Sequence, residues 1–99
     1  MDVNKNTADG QTKYSLSGKL DTVTAPEFQK ELIPEFENVK SIVIDLSQVA
    51  YVSSAGLRVL LMGEKTAKVK GATMVLQGVP DDVMEIFKKS GLARIFTVK

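Results

Sequence analysis

The sequence predicts an α/β chain: a mixed sheet of four or five strands, with about three helices lying mainly on one face. Three observations predict it. Lys13 to Leu20 alternates apolar and polar residues with a period of two, as a strand with one wet face does. Two compact apolar runs follow, SIVIDL at Ser41 to Leu46 and TMVLQ at Thr73 to Gln77. Helical patterns separate these strands, and such alternation implies largely parallel pairing through right-handed crossovers. A chain of 99 residues has room for one hydrophobic core, so residues 1–99 read as a single domain.

Taken in order, Asp9-Gly10 is a tight-turn dipeptide, so Val3 to Thr7 can fold back as a short edge strand on Lys13 to Leu20. Residues 1–12 are thus an edge strand with its turn, or a partly disordered start. Thr24 and Glu27 have the spacing of a capping box, with Val23 placed to staple onto Phe28 and Pro26 tolerated in the first turn. Phe28, Leu32, Ile33 and Phe36 make the inward stripe of this first helix, and Pro34 kinks or ends it. Ser41 to Leu46 reads as an interior strand covered on both faces. Leu46 to Ser54 reads as a connection anchored by Val49 and Tyr51.

A second helix runs from about Ala55 to Lys70 and stops at Gly71. After the strand Thr73 to Gln77, Pro80, Asp81 and Asp82 open a third helix, the two acids lying at the positive end of its dipole. Its inner stripe is Val83, Ile86 and Phe87. Gly91 is placed for a left-handed cap with Leu92 packing back on Phe87, and Arg94 to Val98 can add a last strand.

Composition removes whole classes of chemistry. There is no histidine and no cysteine, so Ser-His-Asp and Cys-His catalysis, disulfides and zinc sites built on imidazole or thiolate are all excluded. No phosphate loop of the G-x-x-x-x-G-K-[ST] kind occurs. Lys65 and Lys68 lie about three turns, roughly 15 Å, along the helix from the serines, too far to act as their base. The expectation is a binding module with no catalytic residue, metal or cofactor. The net charge is +1 and the basic residues are spread along the chain, so no nucleic-acid footprint is drawn. No run approaches 18 apolar residues, and the opening MDVNKNTADG lacks the apolar centre of a signal peptide, so the expected location is the cytoplasm, away from the membrane.

Asp45 to Gly63, DLSQVAYVSSAGLRVLLMG, carries the most information. Ser53 and Ser54 sit where a loop becomes a helix. One hydroxyl can cap that helix while the other points outward, and a helix N-terminus stabilises a phosphate. Plain capping and a phosphorylated switch both fit. Leu57, Leu60 and Leu61 read as one apolar stripe of the helix, with Val59, Met62 and Val69 as another. Only Arg58 breaks the first two turns, so the helix is either deeply buried or offers a second face to a partner. Arg58 can meet a partner carboxylate or stay solvated. Asp21 and Asp45, near predicted strand ends, can border the serines or simply support local turns.

These residues resemble the STAS domain of bacterial anti-sigma factor antagonists. The likeness rests on SGKLD (Ser17 to Asp21), on D-L-S-x-V-x-Y-x-S-S-A-G-L-R-V-L-L from Asp45 to Leu61, and on Ser90-Gly91-Leu92. The resemblance implies a STAS-like fold and a partner switch. The unmodified protein would bind an anti-sigma factor that is also a serine kinase, freeing a sigma factor. Phosphorylation at the helix start would end the complex, and a metal-dependent phosphatase would restore it. Matched position by position, the acceptor is Ser54, with Ser53 its rival. The family often has an acid before the acceptor and a hydroxyl after it, where this chain has Ser53 and Ala55. The implied partner surface is Ser53, Ser54, Ala55, Gly56, Arg58, Val59 and Met62, bordered by Asp21 and Asp45, on a monomer or weak dimer. The alternative is a STAS subunit of another signalling or transporter assembly that works without phosphorylation.

Overall fold

The computed structural model describes all residues from Met1 to Lys99. The elements run β1 (Asp2–Ala8), β2 (Gln11–Leu20), α1 (Ala25–Glu35), β3 (Ser41–Val52), α2 (Ser54–Lys70), β4 (Thr73–Gln77), α3 (Asp81–Lys89) and β5 (Thr97–Val98). The sheet order is sequential, β1-β2-β3-β4-β5. β1 and β2 form an antiparallel hairpin about Asp9 and Gly10, both at positive φ, which suits the twist of a two-residue loop. The other three pairings are parallel.

That order decides the layers. Each parallel connection steps one strand in the same direction, so right-handed crossovers deliver every helix to the same face. Burial agrees. Tyr14, Leu16, Ile42, Ile44, Leu46, Met74 and Leu76 are buried and join Phe28, Leu32, Phe36, Leu60, Val83 and Phe87 of the helices in one core. The alternate residues, including Lys13, Ser15, Val43, Asp45, Val75 and Gln77, are only half-buried. β3 is therefore covered on one face and not on both. Its apolar Val43 lies beside Val75 on the open side, which is why the run looked interior.

β3 also continues through Val52, where a connection was expected. Two register shifts against β2 each place an extra residue on β3, between Asp45 and Gln48 and between Val49 and Tyr51. The inward residues Leu46, Val49 and Val52 are thereby spaced by three, which hides a strand from a period-two reading. Tyr51 is correspondingly an exposed residue and not an anchor.

Three smaller expectations change. Thr24 makes no capping hydrogen bond to the helix, because its hydroxyl accepts from the Asp21 N–H at 2.9 Å and donates to the Lys19 carbonyl at 2.7 Å. Val23 is 76% exposed and staples nothing. The last strand shortens to Thr97–Val98, since the residues before it turn against Leu92, whose carbonyl accepts from Ile95 and Phe96. Pro34 does sit in the final turn of α1, which ends at Glu35. Gly91 takes its left-handed cap, with the Leu92 N–H reaching the Phe87 carbonyl at 2.9 Å.

The end of α1 is tied to the hairpin by a buried carboxylate. Glu35 accepts from the Thr12 hydroxyl at 2.5 Å, from Asn38 at 3.0 Å and from Lys5 at 3.2 Å. Chiefly the Thr12 hydrogen bond, with Asn38 and Lys5 behind it, holds the carboxyl below its ordinary 4.5. A carboxyl depressed in the folded state stabilises fully above its unfolded pKa, and the contribution fades as pH falls through the folded one. Glu35→Gln should lower stability at neutral pH by roughly 1–3 kcal/mol. It should also flatten the loss of stability below about pH 4.5. Urea denaturation of both proteins across that range measures this, and parallel curves would exclude the role.

Candidate functional site

Two parallel strands and one helix meet at the serines. The Leu20 carbonyl, at the end of β2, accepts from the Ser53 N–H at 2.9 Å as β3 gives way to α2. Ser53 has extended backbone and is the N-cap. Its hydroxyl accepts from the Gly56 N–H at 3.2 Å, and its carbonyl accepts from the Leu57 N–H at 2.8 Å. Ser54 is the first helical residue and is exposed. The two hydroxyls thus divide the work: Ser53 caps and Ser54 points outward. The amides of Ser54 and Ala55, in the first turn, have no intrahelical acceptor, and they leave a positive field beside the Ser54 hydroxyl.

Gly56 explains how α2 comes so close. A Cβ there would lie 2.5 Å from the Leu20 carbonyl oxygen and 2.9 Å from Val52. Gly56 is buried, so it sets the approach of helix to strand and offers no side chain to a partner. Val59, also expected on the partner face, is 3% exposed and belongs to the core. The inner face of α2 is Gly56, Val59, Leu60, Gly63, Glu64 and Ala67. Leu57, Leu61 and Met62 are half-buried along its flanks, Ala55 is half-buried, and Arg58 is exposed. The division into a Leu57-Leu60-Leu61 stripe and a Val59-Met62-Val69 stripe does not survive, because Val59 and Leu60 are both buried in the core and Val69 is 83% exposed.

Asp21 follows Leu20 and lies at this end of the molecule. Its Oδ1 accepts from the Val23 N–H at 3.0 Å and the Thr24 N–H at 3.1 Å, and the Thr24 amide in particular lowers its pKa. The turn-supporting role is the one the geometry displays. Asp45 lies elsewhere. It is in the middle of β3 on the open face, seven residues before Val52, roughly 20 Å along the strand. Its carboxylate accepts from the Ser47 N–H at 2.9 Å and stands 4.0 Å from Lys13, and the Ser47 amide chiefly lowers its pKa. The structure therefore brings together Ser53, Ser54, Ala55, Arg58 and Asp21 and leaves Asp45 out. It adds two exposed apolar residues that the pattern concealed, Val23 beside Asp21 and Tyr51 just before Ser53. The largest groove, about 620 Å³, is lined by β4 residues including Thr73, Val75 and Gln77, and by none of these site residues.

The five-stranded mixed sheet with its three helices is the fold of a STAS domain. The STAS domain profile matches residues 2–99. An anti-sigma-B factor antagonist of Listeria monocytogenes is 33% identical over 86 residues, covering 85% of this chain and 75% of that protein. The anti-sigma-B factor antagonist of Bacillus subtilis is 29% identical over 98 residues, covering 99% of this chain and 88% of that protein. The solved structure of the Bacillus cell fate determinant SpoIIAA in its phosphorylated form shares the fold, with a TM-score of 0.79 at 14% identity over 99% of this chain and 91% of that one. The chain belongs to the STAS family and is a homologue of the anti-sigma factor antagonists.

Two substitutions separate the serines. Ser53→Ala should cost about 1 kcal/mol through loss of the cap, whereas Ser54→Ala should stay within about 0.5 kcal/mol of wild type. Chemical denaturation at neutral pH reads both. Equal effects would mean that the two hydroxyls do not differ in role. Gly56→Ala is expected to destabilise by roughly 1–3 kcal/mol, because the Leu20 carbonyl is main chain and cannot swing aside. A melting temperature at or above wild type would contradict the close approach.

Proposed function

We propose that this chain is a phosphorylation-controlled anti-sigma factor antagonist of the cytoplasm. Its unmodified form binds an anti-sigma factor that is also an ATP-dependent serine kinase, and the sigma factor held by that kinase is released. The kinase then transfers the γ-phosphoryl group of ATP to the Ser54 oxygen. ADP leaves, the hydroxyl proton is lost, and the complex dissociates. A metal-dependent serine phosphatase removes the phosphate and resets the cycle.

One observation carries the assignment of Ser54: its neighbour Ser53 already occupies the capping position, which leaves Ser54 exposed with its hydroxyl free to react. Ser53 is the poorer acceptor because its modification would remove the cap. A phosphate on Ser54 would add a charge of about −1.5 to −2 at neutral pH. The helix N-terminus tolerates that charge, so the fold should persist while a packed interface against the same surface should not. Family membership supports the class of partner. Ser54, Ala55, Arg58 and Met62 are the residues proposed to meet it, with Ser53 and Asp21 shaping the border. No helix is long and apolar enough to cross a membrane.

The test is intact mass after incubation with ATP and each anti-sigma-type kinase of the host, followed by peptide mapping. One added phosphate, on Ser54, is expected, with none on Ser54→Ala. Ser54→Asp should keep its melting profile and bind the kinase at least tenfold more weakly in calorimetry. No phosphate from any kinase would overturn the reading in favour of a STAS subunit that works without modification.

A further inference from the structure

The exposed side of α2 carries an unbalanced charge. Counted at 100° per residue, Ser54, Arg58, Leu61, Met62, Lys65, Lys68 and Val69 fall within one arc of roughly 120°. The opposite arc holds the buried Gly56, Val59, Leu60, Gly63 and Ala67. The outward arc has three cations and no acid, and the helix's one carboxylate, Glu64, is buried at its inner edge. Arg58, Lys65 and Lys68 take part in none of the chain's four ion pairs. Arg58 and Lys65 also bracket a shallow recess of about 130 Å³ whose other walls are Leu61 and Met62.

Resting on the function proposed above, we infer that this face takes an acidic partner segment, with Arg58 as its central anchor. We further infer that phosphate on Ser54 ends the complex by claiming Arg58 within the same helix. The recess fits one apolar partner side chain. Arg58 and Lys65 are seven residues apart, about 10 Å along the axis, so carboxylates at about that spacing on either side of the apolar residue would meet both. Arginine suits the role because its planar fork pairs a carboxylate bidentately.

The same geometry makes Arg58 available to a phosphate. Ser54 and Arg58 are four residues apart on one exposed face, a spacing at which helical side chains are neighbours, about 6 Å between Cβ atoms. A phosphoserine there can engage the guanidinium in two charge-assisted hydrogen bonds. It would remove the cation the partner needs and set a dianion against the partner's carboxylates. Neither effect requires a change of fold.

Two measurements test this. Protein carrying phosphoserine at position 54, incorporated during synthesis, is titrated by phosphorus NMR with Arg58 present and with Arg58→Gln. The second ionisation of the phosphate should lie about half a unit or more lower in the arginine protein. Coincident titrations would overturn the internal pairing. Separately, unphosphorylated Arg58→Glu should bind the kinase at least tenfold more weakly than wild type, with Lys89→Glu on α3 as a charge control near wild type. Undiminished binding by Arg58→Glu, in a protein that is still phosphorylated on Ser54, would overturn the acidic-partner surface and leave the switch intact. Absence of phosphorylation by any kinase would instead sink the switch, while the NMR comparison still decides the pairing.

Discussion

The serine end of this molecule is organised around a single carbonyl. The Leu20 oxygen accepts the Ser53 amide and lies against the bare α-carbon of Gly56, so one main-chain atom sets where β3 stops and how closely α2 begins. Everything functional is positioned relative to it. The cap falls to Ser53 because its backbone is still extended there, and Ser54 is turned outward by the helix that the cap starts. Asp21, the next residue after Leu20, then folds the chain into α1 through its own side chain. A larger residue at Gly56 would push the helix away and loosen all of these relations at once.

Much of this was legible in the sequence, and the failures have physical causes. The hairpin at Asp9-Gly10, the strand Thr73–Gln77, the stop at Gly71 and the cap at Gly91 are set by local backbone chemistry and were found where expected. The second half of β3 was missed because two bulges change its inward spacing from two to three. The Thr24-Glu27 pattern is present but unused, because the Thr24 hydroxyl is engaged by the Asp21 N–H and the Lys19 carbonyl while the Thr24 N–H goes to the Asp21 carboxylate. In α2 the inner face is marked by small residues, Gly56, Gly63 and Ala67, and the leucines beside them gave a misleading stripe. A Cβ at Gly63 would sit 2.8 Å from both Leu32 and Met74, so the helix is pressed between α1 and β4 where its side chains are smallest.

For the candidate site, the residue pair Ser53 and Ser54 is legible in the sequence, and the resemblance points to Ser54 as acceptor, but local chemistry alone does not tell which of the two caps the helix. Capping depends on which of two adjacent residues keeps extended backbone, and that is fixed by the β3 pairing with β2. Asp45 shows the converse. It looks like a strand-end residue only when the strand is read as ending at Leu46, six residues short of Val52, and the true strand carries it well away from the helix start. Glu35, Asp45 and Asp21 are engaged internally by Thr12, Ser47 and nearby amides, whereas Arg58, Lys65 and Lys68 on the outward arc of α2 take part in no ion pair. The outward chemistry of the domain is therefore basic at one helix even though its total charge is close to neutral.

The sequential strand order has a bearing on how the chain is made. Every strand pairs with the one before it in the sequence, so no strand waits for a distant segment to fill a gap in the sheet. The hairpin of β1 and β2 closes on itself through a two-residue loop, and each later strand is added to the edge just built. Loop closure is cheap at every step, and the sheet can grow in the direction in which a ribosome delivers it. The serine end is complete once β3 and the start of α2 have emerged, before β4, α3 and the two-residue β5 seal the far edge.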